Sequence, residues 1–116
     1  MAAPQRIGVL ALQAQLEQGE QVTIIDVREP DEYRTLHAAG ALLLPLGKVS
    51  TESVVERLAA ADRTADTRLY FICHSGNRAA EACKRTLDRF PAGTVIEGGT
   101  LAWAQAGLPV HFGDQP

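Results

Sequence analysis

Short apolar runs alternate along this chain with stretches in which apolar residues recur every third or fourth position. Val22-Thr23-Ile24-Ile25-Asp26-Val27 reads as a buried strand, rich in β-branched residues and preceded by Gly19. Ala41-Leu42-Leu43-Leu44 is a shorter run stopped by Pro45, and Leu69-Tyr70-Phe71-Ile72 and Thr94-Val95-Ile96 are further strands. Arg6-Ile7-Gly8 adds an edge strand. Between them the spacing predicts helices. Residues 9–18 set Val9, Leu12 and Leu16 on one face and end at the capping Gly19. Residues 51–61 group Val54, Val55 and Leu58, with Ser53 and Glu56 at capping-box spacing. Residues 77–90 turn Ala79, Ala80, Cys83, Leu87 and Phe90 inward before Pro91 and Gly93 close the helix, and a last helix over 100–106 stops at Gly107. Near-continuous apolar strands alternating with helices predict an α/β fold: a mostly parallel central sheet of about five strands with helices on both faces. In such sheets ligands gather at the carboxyl ends of the strands.

The chain has 116 residues, which the reading treats as one domain over 1–116. Its hydrophobic fraction of 46% suits a single globular core and argues against disorder. There is no internal repeat and no low-complexity stretch. Eleven Lys and Arg against 14 Asp and Glu leave a net charge of −3, without the basic stripe that nucleic acid demands. No apolar run nears the ~20 residues of a membrane span. The start, Met1 to Arg6, lacks the apolar stretch of a secretion signal, so the expected location is cytoplasmic. Two cysteines, Cys73 and Cys83, make neither a disulfide framework nor a zinc site, and no metal is expected. Cys83 falls about two helical turns beyond the loop of Cys73, too far for a disulfide between them.

Chemistry concentrates after the third long strand. Leu69 to Ile72 runs directly into Cys73-His74-Ser75-Gly76-Asn77-Arg78, followed by the Ala-rich start of a helix. Short polar residues and Gly76 let the backbone curl so that successive N–H groups converge on one concavity, and a helix N-terminus adds its dipole. A thiolate is an anion suited to that place, and Arg78 in the first helical turn adds a fixed positive charge. The plain alternative is a buried cysteine beside a surface arginine, which fits a lone cysteine well. Strand, Gly-bearing loop, arginine and helix in this order favour a nucleophile.

The chain resembles single-domain rhodaneses over nearly its whole length. Ile25-Asp26-Val27-Arg28-Glu29-Pro30-Asp31-Glu32-Tyr33 is similar to that family's first signature. His37-Ala38-Ala39-Gly40-Ala41 with Leu44-Pro45 resembles the second segment, and Cys73 to Arg78 the active loop. Glu97-Gly98-Gly99, Ala102-Trp103 and Gly107-Leu108-Pro109-Val110 resemble the C-terminal signature. Ala38-Ala39 departs from the family's frequent Ile-Pro, a packing difference. The resemblance implies sulfur transfer: Cys73 takes the outer sulfur of thiosulfate or a related donor as a persulfide, and cyanide, a thiol or a protein thiol accepts it. Arg78, His74, Ser75, Gly76 and Asn77 would then bind the substrate, and no cofactor is called for. Phosphatases of related fold carry one more residue between cysteine and arginine, so the short loop favours sulfur. The alternative function is a persulfide carrier or a redox-sensing, protein-binding module with little turnover.

Other residues take quieter roles. Asp26 and Arg28 are expected as an ion pair at the strand end, framing the loop. His37 is expected to make a structural hydrogen bond beside the Gly40 turn, and His74 to face either the donor or solvent. Cys83 and Trp103 belong to the core, and Gly98-Gly99 to a tight turn next to the active loop. Glu29, Asp31 and Glu32 form a solvated helix start. The mechanism requires the Cys73 sulfur to be open to a small molecule.

Overall fold

A computed structural model describes residues 4–64, 67–75 and 77–116. The elements follow in the order β1 (Gln5–Ile7), α1 (Val9–Glu17), β2 (Val22–Asp26), α2 (Pro30–Thr35), β3 (His37–Ala38) and β4 (Leu42–Leu43). A 3₁₀ turn (Leu46–Lys48) leads to α3 (Thr51–Ala60), β5 (Arg68–Ile72), α4 (Asn77–Arg85), β6 (Thr94–Ile96), α5 (Gly99–Gln105) and β7 (Val110–His111). Five parallel strands form one sheet in the order β1-β6-β5-β2-β4, so β5 lies at its centre with β2 and β6 as neighbours. This is the α/β architecture expected from the alternating pattern.

The inner strands β2, β5 and β6 are mostly apolar and buried because both faces of the sheet are covered there. Their two-residue period divides them between two cores. Ile25, Phe71 and Val95 point to a core shared with Val54 and Leu58 of α3 and Ala79, Ala82 and Cys83 of α4. Ile24, Tyr70, Ile72 and Ile96 point to the other, with Leu12 of α1, Tyr33 of α2 and Trp103 of α5. Trp103 is buried, and its indole N–H donates to the Pro109 carbonyl at 2.7 Å, tying α5 to the chain that follows.

Several boundaries differ from the sequence reading. Helix α4 ends at Arg85, five residues early, and Leu87 is 41% exposed. The Thr86 carbonyl accepts from the N–H groups of both Arg89 and Phe90, so a tight turn returns Phe90 to the core. The N-terminal box of α3 is Ser50 with Ser53: each backbone N–H donates to the other's hydroxyl, at 2.8 and 3.1 Å. The Ser53–Glu56 pair therefore lies inside the helix, and Val55 and Leu16 are partly exposed instead of buried. A two-stranded antiparallel ribbon, β3 with β7, was not anticipated. Its strands have two residues each, too few to display an alternation.

Candidate active site

Cys73 follows β5 directly, at the carboxyl end of the central strand. The loop of His74 and Ser75, both exposed, leads to Asn77, also exposed, at the start of α4; Gly76 lies outside the described residues. Arg78 sits in the first turn of that helix, as its position in the loop implies.

Helix α5 presses on this loop from behind. The Thr100 N–H donates to the Cys73 carbonyl at 2.8 Å, and the Leu101 N–H to the His74 carbonyl at 3.3 Å. Such closeness demands glycine at the turn before. A Cβ on Gly99 would lie 2.2 Å from the Cys73 carbonyl oxygen and 2.5 Å from that of His74, and its φ is +58°. The tight turn expected at Gly98-Gly99 is present, with φ +74° at Gly98.

At the end of β2, Asp26 and Arg28 form the expected ion pair. The Arg28 Nε donates to Asp26 Oδ1 at 3.0 Å and its Nη2 to Oδ2 at 2.8 Å, while Nη2 also donates to the Leu36 carbonyl at 2.7 Å. Both side chains are buried. His37 is buried too, stacked on Tyr33 with ring centroids 3.7 Å apart. Its ring nitrogens lie 2.8 Å from the Tyr33 carbonyl and 2.7 Å from that of Gln115, a structural role at the ribbon. No disulfide joins Cys73 and Cys83. Burial pushes the Cys83 thiol up to about 12, against a smaller opposing pull from Arg6.

Two expectations need correction. The acidic helix start is not simply solvated, because Glu32 binds Arg78 with both oxygens. Nη1 donates to Oε1 at 2.7 Å and Nη2 to Oε2 at 3.0 Å. The hydrogen bonds from Arg78 hold the Glu32 carboxyl at about 2, outweighing desolvation, with a further contribution from the Glu29 N–H. Arg78 is correspondingly raised, first by its bond to Glu32, against desolvation, and then by the charges of Glu32 and Cys73. The guanidinium that was to meet an anionic donor is thus already engaged. No local pattern reveals this pairing, since 46 residues separate the partners.

The second correction concerns access. Cys73 is only 1% exposed and belongs to the core shared by Phe71 and Ala79. The strand period explains it: residue 73 faces the same way as residue 71, under the first turns of α4. A sulfur lying open to solvent was expected, and this structure covers it.

Among the described residues, no group of three or more His, Cys, Asp or Glu could hold a metal ion, and no helix is long and apolar enough to cross a membrane. A cysteine closing the central parallel strand, in a loop that opens a helix with an arginine in its first turn, defines an α/β protein with a cysteine-bearing loop at the carboxyl end of its sheet. The chain belongs to the rhodanese-like domain family, whose model matches residues 9–106. It is 38% identical over 96 residues to an uncharacterised protein of Synechocystis, covering 82% of this chain and 50% of that one. It is 34% identical over 98 residues to "Putative sulfurtransferase YtwF" of Bacillus subtilis, covering 84% and 87%. Its fold matches a rhodanese-related protein from Thermoplasma volcanium with a TM-score of 0.69 at 26% identity, over 92% and 97% of the two chains. The chain thus spans about half the length of its Synechocystis relative.

Proposed function

We propose that this chain is a sulfurtransferase in which Cys73 carries the sulfur. The Cys73 thiolate attacks the outer sulfur of thiosulfate, the S–S bond of the donor breaks, and sulfite leaves with the bonding electron pair. The resulting persulfide then gives its outer sulfur to cyanide or a thiol, restoring the thiolate. The observation that carries this reading is the position of Cys73: at the end of the central strand, where the chain turns into α4 with Arg78 in its first turn. His74, Ser75, Gly76 and Asn77 supply the loop that receives the persulfide. Arg78 meets the anionic donor once Glu32 releases it, and Asp26 with Arg28 fixes the adjoining strand end. The Bacillus relative's name points the same way. Residues 1–116 act as one catalytic domain without metal or cofactor, in the cytoplasm, where thiols stay reduced.

Incubation with thiosulfate, followed by mass spectrometry, is expected to find one added sulfur on Cys73 and none in Cys73→Ser. Absence of the adduct in the wild type, or its presence in Cys73→Ser, would refute the proposal. The burial of Cys73 favours a second reading, a persulfide carrier that exchanges sulfur only when a partner docks. Stoichiometric persulfide with negligible thiocyanate production would select it.

A further inference from the structure

A cavity of about 510 Å³ opens at the amino edge of the sheet, where β1, β5 and β6 begin with Gln5, Arg68 and Thr94. Cys73 follows the other end of β5, so a whole strand separates this cavity from the active loop. Its size falls in the range of small-molecule sites. Arg6, Arg68 and Arg89 line it, and among the described residues no Asp or Glu does. In a chain of net charge −3, this concentration of positive charge runs against the composition.

Two of the three charges are uncompensated. The Arg68 Nη1 lies 2.9 Å from Glu20 Oε1, but neither Arg6 nor Arg89 forms an ion pair with a described residue. Arg6 pairs in register with Val95, whose side chain enters the core beneath α4, so Arg6 leaves the sheet on the α4 side. The Cys83 thiol of α4 feels its charge. The Arg89 guanidinium carbon lies 5.4 Å from the centroid of the Phe90 ring, and Phe90 lines the same cavity. Of the neutral groups, Gln15 is held by its amide oxygen, which accepts from the Tyr70 hydroxyl at 2.7 Å. Its amide nitrogen can only donate, and no described residue accepts from it. The cavity therefore offers donors and positive charge.

We infer that this cavity is a second ligand site, which binds a phosphate group, free or as the head of a small ester, through Arg6 and Arg89. Two unmatched guanidinium groups call for about two negative charges on one group. A phosphate supplies them near neutral pH and presents several acceptor oxygens to the planar guanidinium forks. A lone carboxylate brings half that charge. Gln15 and Arg68 are further donors on the cavity wall for the oxygens of an ester's organic part. The site is separate from the sulfur chemistry proposed above and does not depend on it.

NMR titration of the whole chain at constant ionic strength tests it, with inorganic phosphate, ribose 5-phosphate and acetate as probes. Both phosphates are expected to shift the backbone amides of Arg6, Gly93 and Thr94 saturably, and acetate to bind far more weakly. Tighter binding of ribose 5-phosphate identifies an ester as the ligand, and equal or tighter binding of inorganic phosphate identifies the free ion. Arg6→Gln and Arg89→Gln change exposed side chains, and each is expected to weaken phosphate about fivefold, the scale of one exposed charge pair. Arg34→Gln removes the same charge outside the cavity and is expected to leave the affinity unchanged. As a second readout, a rise in Tm with added phosphate should vanish when Arg6 and Arg89 are both replaced. Shifts that grow without saturating, shifts confined to His74 and Ser75 at the active loop, or equal affinity for acetate overturn the inference. So does Arg34→Gln weakening phosphate as much as Arg6→Gln, which would reduce the effect to overall charge.

Discussion

In the Glu32→Gln variant the Arg78 guanidinium loses a carboxylate that meets both its terminal nitrogens, at 2.7 and 3.0 Å. The pair's strength follows from the Glu32 carboxyl, which Arg78 brings from 4.5 to about 2. At roughly 1.4 kcal/mol per unit this sets a ceiling of about 3 kcal/mol. The two side chains are 34% and 31% exposed, so water screens the attraction and the pair contributes about 1 kcal/mol. A thiosulfate dianion competing for Arg78 must displace Glu32 at that cost. Glutamine keeps an oxygen acceptor but no charge, so the KM for thiosulfate is expected to fall about fivefold, since 1.4 kcal/mol is tenfold. The assay is thiosulfate-dependent thiocyanate production with kcat and KM resolved separately. An unchanged or increased KM would show that Glu32 does not compete with the donor, and the role given to Arg78 would have to be abandoned.

The same pair makes stability depend on pH. Its folded carboxyl is depressed, so the contribution is complete above pH 4.5 and is lost as pH falls from 4.5 toward about 2. Urea midpoints of wild type and Glu32→Gln should therefore converge on acidification through that window; a gap that stays constant there contradicts the assignment. Gly99→Ala forces a Cβ to 2.2 Å from the Cys73 carbonyl oxygen in a left-handed conformation, and should cost about 2–4 kcal/mol, read as a drop in Tm of roughly 10 °C or more. A Tm within 2–3 °C of wild type would mean that α5 is not held against the loop as described. Asp26→Asn removes the charge facing buried Arg28 and should cost about 3 kcal/mol in urea unfolding, while a loss below about 1 kcal/mol would mark the pair as dispensable.

Legibility in the sequence followed the range of each interaction. The parallel sheet was readable because burial on both faces leaves runs such as Leu69 to Ile72 apolar throughout. Cys73 and Arg78 were readable because loop and helix start are contiguous. The early end of α4 was not: Leu87 keeps the helical spacing, yet Thr86, whose hydroxyl donates to the Ala82 carbonyl at 2.9 Å, anchors the turn that stops it. The Glu32–Arg78 pair and the bond from Thr100 to Cys73 join segments far apart in the chain, and no local periodicity encodes them. The acidic start of α2 was visible, but its partner was a matter of tertiary packing.

Burial of Cys73 and occupancy of Arg78 are two aspects of one arrangement. The Glu32–Arg78 bridge fastens the first turn of α4 to α2, and that first turn lies over the face where Cys73 points. If reaching the sulfur requires this turn to move, weakening the bridge should speed access by the same factor that lowers KM. Alkylation by iodoacetamide measures it cleanly in a Cys83→Ala background, because burial holds the Cys83 thiol near 12 and a second signal would come only from unfolded protein. Glu32→Gln in that background is expected to raise the Cys73 alkylation rate about fivefold, matching about 1 kcal/mol. An alkylation rate that stays fixed while KM falls would separate the two effects: the donor would engage Arg78 without moving the turn, and the path to the sulfur would lie elsewhere on the loop.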